Sequence, residues 1–219
     1  MNKFEDTYRH KGLRKKLTDL LKEKGISDAN VLAAINNIPR HFFLDSAFDE
    51  IAYEDRAFPI SDGQTISHPY TVAYQTQLLQ IKPLDKILEI GTGSVYQASV
   101  LAEMGAKVFT IERQKGLYEK SKNFILKAKY PNIKFFFGDG YEGLPTYAPF
   151  DKVIITAAAP FIPPKLLDQL KPGGKMVIPV DEEGDQQRML RITKNADGST
   201  TEESFENFSF VPMLSGKNG

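Results

Sequence analysis

Ile87-Leu88-Glu89-Ile90-Gly91-Thr92-Gly93-Ser94-Val95-Tyr96-Gln97-Ala98 is the stretch on which the fold turns. Lys86 to Ile90 predicts a short buried strand, and Tyr96 to Met104 carries apolar residues at helical spacing. Between them Gly91 and Gly93 lack Cβ atoms, so their backbone amides can approach a ligand closely at the start of the next helix. A strand, a glycine loop and a helix in this order suit a nucleotide-like cofactor. The turn by itself is a weak signal, because tight strand-to-helix turns use glycine without any ligand.

Downstream, the same alternation continues. Lys107 to Ile111 predicts a strand, Leu117 to Lys129 a helix, and Ile133 to Phe137 a strand ending at Gly138, Asp139 and Gly140. Asp151 to Thr156 predicts a fourth strand and Pro164 to Leu170 a short helix stopped by Pro172, Gly173 and Gly174. Lys175 to Pro179 gives the fifth strand. Alternation this regular implies a largely parallel sheet covered by helices. Gln187 to Thr193 and Glu202 to Val211, separated by Asn195 to Gly198, predict a closing antiparallel hairpin.

Upstream, Leu13, Leu17, Leu20 and Leu21 predict an amphipathic helix over Thr7 to Lys24, with Gly25 as its stop. Ser27 or Asp28 can cap a second helix that carries Val31, Leu32 and Ile35 on one face and ends near Pro39. Phe42 to Pro69 follows neither regular period and reads as a functional loop region, before a helix over Thr71 to Leu79.

Composition narrows the function classes. At 219 residues one domain is expected, divided into an N-terminal portion (1–69), a cofactor-binding βα core (70–180) and a C-terminal hairpin segment (181–219). The 28 Lys plus Arg balance 28 Asp plus Glu, so no global field favours nucleic acid or an anionic membrane as partner. With no cysteine there is no disulfide, thiol nucleophile, cysteine-ligated zinc or iron–sulfur cluster. Met1 to Lys24 lacks a signal-peptide apolar stretch, and no later run approaches a membrane span, so a cytoplasmic protein is expected. The sequence carries no signal for oligomeric state.

Two acids strengthen the cofactor reading. Glu112 ends the strand after the glycine loop, where doubly wound folds place a carboxylate that accepts hydrogen bonds from ribose hydroxyls. Asp139 ends the next strand between two glycines, with turn capping as the simpler alternative. A glycine loop and two acids at three consecutive strand ends suit an adenosyl ligand lying across the sheet edge.

These features resemble the S-adenosylmethionine methyltransferases with a seven-stranded, Rossmann-like sheet. That sheet is mostly parallel, with a C-terminal antiparallel hairpin and helices on both faces. Within that class D-R-A-F-P-I-S-D-G-Q-T-I-S-H-P (55–69), I-T-A-A-A-P (155–160) and F-V-P-M (210–213) resemble the protein-L-isoaspartate O-methyltransferase family. The resemblance implies S-adenosyl-L-methionine as cofactor, S-adenosyl-L-homocysteine as product, no metal, and isoaspartyl-containing proteins and peptides as substrates. It places Gly91, Thr92, Gly93 and Ser94 at the methionine part of the cofactor, Glu112 at the ribose, and Asp139 with Gly140 at the adenine. Glu89 would order the glycine loop. Ile66, Ser67, His68 and Pro69 would close over the methyl donor. Ser67 would be the catalytic residue, its hydroxyl orienting the substrate carboxylate rather than acting as a nucleophile. Ala157 and Ala158 would border the substrate, and Val211 with Pro212 would line the isoaspartyl site.

Asp55 and Arg56 are expected to pair as a loop clamp, and Asp62 with Gly63 to make a turn. One departure from the family pattern is Val95, where glycine is usual, and a β-branched side chain there can crowd the cofactor or oppose positive φ. Three rival readings remain on sequence. A methyltransferase for another substrate need not keep the 55–69 segment. A nicotinamide-dependent oxidoreductase would want a third glycine in the loop. A peptide-binding module would have lost turnover through Val95.

Overall fold

The structure is a computed structural model that describes residues 4–182 and 186–219. Residues 183–185, within the expected C-terminal segment, and residues 1–3, within the N-terminal stretch read for a signal peptide, lie outside the described residues.

Two helices lead the chain. Helix α1 (Tyr8–Glu23) opens on a capping box between Thr7 and His10, and α2 (Ala29–Asn37) is capped by Asp28, whose carboxylate accepts from Asn30 and Val31 N–H. Ile38 adopts extended backbone before Pro39, as the proline ring requires. The loop region folds as two 3₁₀ turns (Arg40–Phe43 and Ser46–Ile51) and a small hairpin of β1 (Phe58–Pro59) and β2 (Thr65–Ile66). Asp62 and Gly63 both have positive φ at its tip, as a type I′ turn demands. Helix α3 (Pro69–Leu79) follows.

The main sheet contains β3 (Lys86–Ile90), β4 (Lys107–Glu112), β5 (Ile133–Phe137), β6 (Phe150–Ile155), β7 (Leu170–Asp181), β8 (Gln187–Lys194) and β9 (Thr200–Phe208), in the order β5-β4-β3-β6-β7-β8-β9. The strands β3 to β7 pair in parallel, and β8 is antiparallel to both its neighbours. Period-2 alternation sends Ile87, Val108, Ile133, Ile154 and Val177 into one core with residues of α1, α2, α3 and α4 (Tyr96–Glu103). Leu88, Ile90, Phe109, Ile111, Val153 and Met176 enter a second core on the opposite face, closed by Leu166 of α6 (Pro164–Asp168). Helices therefore cover both faces. Among the described residues no helix is long and apolar enough to cross a membrane.

Several element boundaries differ from the sequence reading, among them the last strand, which is Thr200–Phe208 and leaves Ser209 to Val211 outside the sheet. Helix α5 spans only Lys115–Ser121. Beyond it Phe124, Lys127 and Lys129 donate three residues back, in tight turns that bring Phe124 onto Phe135 with ring centroids 5.7 Å apart. Tertiary packing there overrides helix propensity. Pro172, Gly173 and Gly174 lie inside β7 rather than before it: Phe150 pairs with Leu170 and Lys152 with Lys175, so the Pro-Gly-Gly run is a bulge.

Candidate active site

The chain runs outward from β3 through β4 to β5, then returns to place β6 on the other side of β3. At this reversal the loops after neighbouring strands diverge and leave a crevice at their carboxyl ends, the place where open α/β sheets bind ligands. A cavity of about 390 Å³ opens there.

Its floor is the glycine loop. Gly91 has φ +98°, and a Cβ there would stand 2.6 Å from Thr156 Oγ1, so both conformation and space exclude a side chain. Thr156 donates to the carbonyls of Ile90 and Gly91, while Gly91 and Thr92 N–H donate to Ile111. Gly93 N–H donates to Glu112 Oε2 at 2.9 Å, and Gln114 N–H to Oε1 at 2.8 Å. The buried Glu112 carboxyl is shifted above the usual range by desolvation, opposed by those two amides.

Ile66, Ser67 and His68, at the junction of β2 and α3, form a second wall, and Gly91, Thr92, Gly93, Ser94, Glu112, Gly140 and Ala157 face the same cavity. Val211 and Pro212 close it from the chain leaving β9. That segment is fixed by Ala158 N–H donating to Val211 and Met213 N–H donating to Ala158.

Four expected residues do not face the cavity, among them Pro69, which is buried at the first position of α3. Glu89 is fully buried under the loop, and it takes no hydrogen bond from it. Thr110, beside it, is committed to Thr92 at 2.6 Å, and burial, with the like charge of Glu112, pushes the Glu89 carboxyl up to about 8. The loop is ordered instead by Glu112 and Thr156. Asp139 turns its carboxylate to Tyr141 N–H and Gly216 N–H, at 2.9 and 2.7 Å, which is the turn-capping arrangement. Ala158 is buried behind Ala157 and acts through its backbone. The Asp55–Arg56 clamp is also replaced: Asp55 pairs with Lys24 at 2.6 Å and accepts from Tyr70 N–H, while Arg56 meets Glu54 at 3.4 Å. The N-terminus of α3, 15 residues on in sequence but adjacent in space, offers Asp55 the better partner.

Val95 adopts φ 72°, ψ 0°, left-handed backbone that a β-branched residue takes only under strain. Its side chain is buried in the helix-side core and does not line the cavity. Of the two effects open on sequence, the structure therefore shows strain and no crowding.

Sequence reasoning missed Tyr96, Gln97, Gln114, Met213 and Leu214, all at the cavity wall. The strap that carries the last two crosses the strand ends, Asn218 bonding with the backbone of Arg113 and Lys115 and the side chain of Gln114. No periodicity marks such a segment. Away from the cavity, Asp6, His10 and His41 present ligand-type atoms within 4.8 Å of one another. Asp6 is engaged by Arg14, His10 by Asp49 and His41 by Tyr53.

The pairing of a buried carboxylate with a glycine loop in an apolar-walled crevice fits an adenosyl ligand. Comparisons with known proteins agree. Residues 12–218 match the family model for protein-L-isoaspartate(D-aspartate) O-methyltransferase. A protein-L-isoaspartate O-methyltransferase of Cytophaga hutchinsonii is 57% identical over 99% of this chain and 96% of its own length. One of Christiangramia forsetii is 53% identical over 98% of this chain and its own full length. Among solved structures, a Plasmodium falciparum protein described as a protein-L-isoaspartate O-methyltransferase, in complex with S-adenosyl-L-homocysteine, superposes with a TM-score of 0.79 at 27% identity. That match covers 92% of this chain and 98% of the other. The chain belongs to the protein-L-isoaspartate(D-aspartate) O-methyltransferase family.

Proposed function

We propose that this protein transfers a methyl group from S-adenosylmethionine to the free α-carboxylate of L-isoaspartyl residues in damaged proteins and peptides, initiating their repair through succinimide. The observation that carries the reading is the single crevice at the sheet reversal, where the Gly91–Ser94 loop and Glu112 meet Ser67 and the Val211–Pro212 segment. When bound, S-adenosylmethionine supplies a methyl group activated on a sulfonium sulfur. Family membership and the relative crystallised with S-adenosyl-L-homocysteine support this cofactor.

The protein's own contribution is to bind, align and exclude water. Glu112 and the loop amides hold the adenosyl and methionine portions, Glu112 contributing to loop order as well as to ribose binding. Gly140 lines the cavity at the proposed adenine end and is required there by packing, since a Cβ would lie 2.4 Å from Ile90 Cγ2. The Ser67 hydroxyl has no hydrogen-bond partner among the described residues and is free to orient a substrate carboxylate. A carboxylate with a reference pKa near ~4 is ionised at neutral pH, so no general base is needed. Alignment and desolvation are then the main sources of rate. His68 is exposed and carries no assigned proton-transfer role. Among the described residues, the loop before α3 covers the site, 70–180 bind the cofactor and 186–219 complete the substrate wall. The protein partners are isoaspartyl-containing chains.

The test is transfer of labelled methyl to matched peptides containing L-isoaspartate or normal aspartate. Base-labile label on the isoaspartyl peptide alone is the expected result. Equal labelling of both peptides, or of neither, would sink the assignment.

A further inference from the structure

Behind the Ser67 wall lies a cation that the catalytic description leaves unused. Arg40 is 0% exposed, the largest fully buried side chain among the described residues, and no carboxylate pairs with it. Nε donates to the Ala52 carbonyl at 3.1 Å, and Nη2 donates to the carbonyls of Arg56 and Ser67 at 3.3 and 2.8 Å. Nη1 has no acceptor. The guanidinium lies over the Tyr96 ring, Cζ to centroid 4.8 Å, and Tyr96 is itself a wall of the cavity. Asp55 attracts the guanidinium from a distance, but its carboxylate is engaged by Lys24 and Tyr70 N–H and does not pair with it. A guanidinium does not give up its proton in a protein. A full charge therefore sits in the interior, held by carbonyl dipoles and one π face, directly behind two residues that shape the cavity.

Burying a charge without a paired carboxylate is strongly unfavourable, and three carbonyls, two from the 52–56 turn and one from Ser67, could be satisfied more simply by backbone or by a neutral donor. What only a cation supplies is a positive potential, and the low-dielectric surroundings transmit it to the cavity with little screening. The isoaspartyl α-carboxylate is the anion in the proposed reaction. In methyl transfer its negative charge disappears as the ester forms, so a fixed cation stabilises the bound carboxylate more than the charge-dispersed transition state. Its electrostatic effect belongs in binding, whereas the grip on Ser67 belongs in alignment and hence in turnover.

We infer that Arg40 is a positioning and selectivity residue for the carboxylate substrate: its fork fixes the Ser67 backbone, and its charge makes the cavity prefer an anionic nucleophile over a neutral one. The inference rests on the proposed isoaspartyl reaction and deepens it.

The experiment has a wild-type arm and a variant arm. In the first, an isoaspartyl peptide and its α-carboxamide analogue, which cannot carry the charge, are compared for affinity on the unaltered protein. The carboxamide is expected to bind about tenfold more weakly or worse, the size of effect a charge several ångströms away exerts at an effective dielectric near 20. In the second, read across a pH series because a buried lysine loses its proton far more readily than an arginine, Arg40→Lys loses the fork but carries a charge at the acid end, while Arg40→Met loses both. The lysine variant should hold KM for peptide within about threefold and lose kcat, and the methionine variant should raise KM about tenfold further. Cofactor affinity by calorimetry should be unchanged in the lysine variant. Equal KM for the two variants at the acid end of the series overturns the electrostatic role, and so does equal wild-type affinity for carboxylate and carboxamide, which needs no variant to fold. Wild-type protein that labels the isoaspartyl peptide but ignores the carboxamide difference refutes Arg40 alone. Wild-type protein that labels neither peptide refutes both readings.

Discussion

Replacing Val95 tests the strain directly, because the expected order of variants inverts the usual one. At φ 72° and ψ 0° a side chain with two Cγ atoms pays about 1–3 kcal/mol relative to glycine. Against that, the side chain is 2% exposed, and its burial contributes about 1.5–3 kcal/mol. Val95→Gly exchanges one for the other and should change stability by no more than about 2 kcal/mol. Val95→Ala loses most of the same packing yet keeps a Cβ in left-handed backbone, so it should be less stable than Val95→Gly by about 1 kcal/mol. In ordinary helical backbone alanine is the more stable of the two by a similar margin. Scanning calorimetry resolves the difference as about 2–4 °C in Tm for a chain of this size. Since Val95 faces the core and not the cavity, methyl-transfer KM for the cofactor should shift by less than about threefold in the glycine variant. An alanine variant as stable as the glycine one would refute the left-handed assignment. A silent wild type rescued by Val95→Gly would refute the separation of Val95 from the cofactor site.

Glu112→Ala removes the acceptor for Gly93 and Gln114 N–H together with the proposed ribose contact. Cofactor affinity should fall by about 1.5–3 kcal/mol per charge-assisted bond lost, and an unchanged calorimetric isotherm would reject the assignment. Ser67→Ala should depress single-turnover methyl transfer while leaving cofactor affinity intact, and a normal rate would remove Ser67 from the mechanism. Gly140→Ala places a methyl 2.4 Å from Ile90 Cγ2 and 3.3 Å from Met213 Cε, an overpacking expected to cost about 1–3 kcal/mol in chemical denaturation. Glu89 has a folded pKa raised from 4.5 to about 8, so between those values the folded state holds more protons than the unfolded one and stability falls as pH rises. Glu89→Gln should therefore flatten the decline in Tm between pH 5 and pH 8, and a wild-type Tm independent of pH over that window would contradict the buried, protonated acid.

Much of the architecture is local and so legible in the chain. A buried parallel strand such as Lys86–Ile90 must be apolar on both faces, as Ile87, Leu88 and Ile90 make it, and a turn returning into a helix at close quarters must use glycine at Gly91. These demands act within a few residues. The same holds for the Asp28 cap and for the Asp62-Gly63 hairpin, whose backbone angles few other pairs tolerate. The identity of the crevice was legible because its wall residues fall in three compact motifs around Ser67, Ala157 and Val211. Where a side chain points is another matter, because that depends on partners far away in sequence. Glu89, Glu112 and Asp139 are all acids at strand ends. Only the packed structure seals the first under the loop, turns the second to Gly93 and gives the third to Gly216, 77 residues away. The cation at Arg40 follows the same logic: its place behind Ser67 arises because the two 3₁₀ turns fold back against α3 and α4, and no spacing within Pro39-Arg40-His41 announces it. Periodicity and turn chemistry are properties of neighbours along the chain, so the sequence determined the elements and the family. Burial, charge compensation and the direction of each carboxylate depend on neighbours in space, so only the tertiary structure decided which residues meet in the cavity.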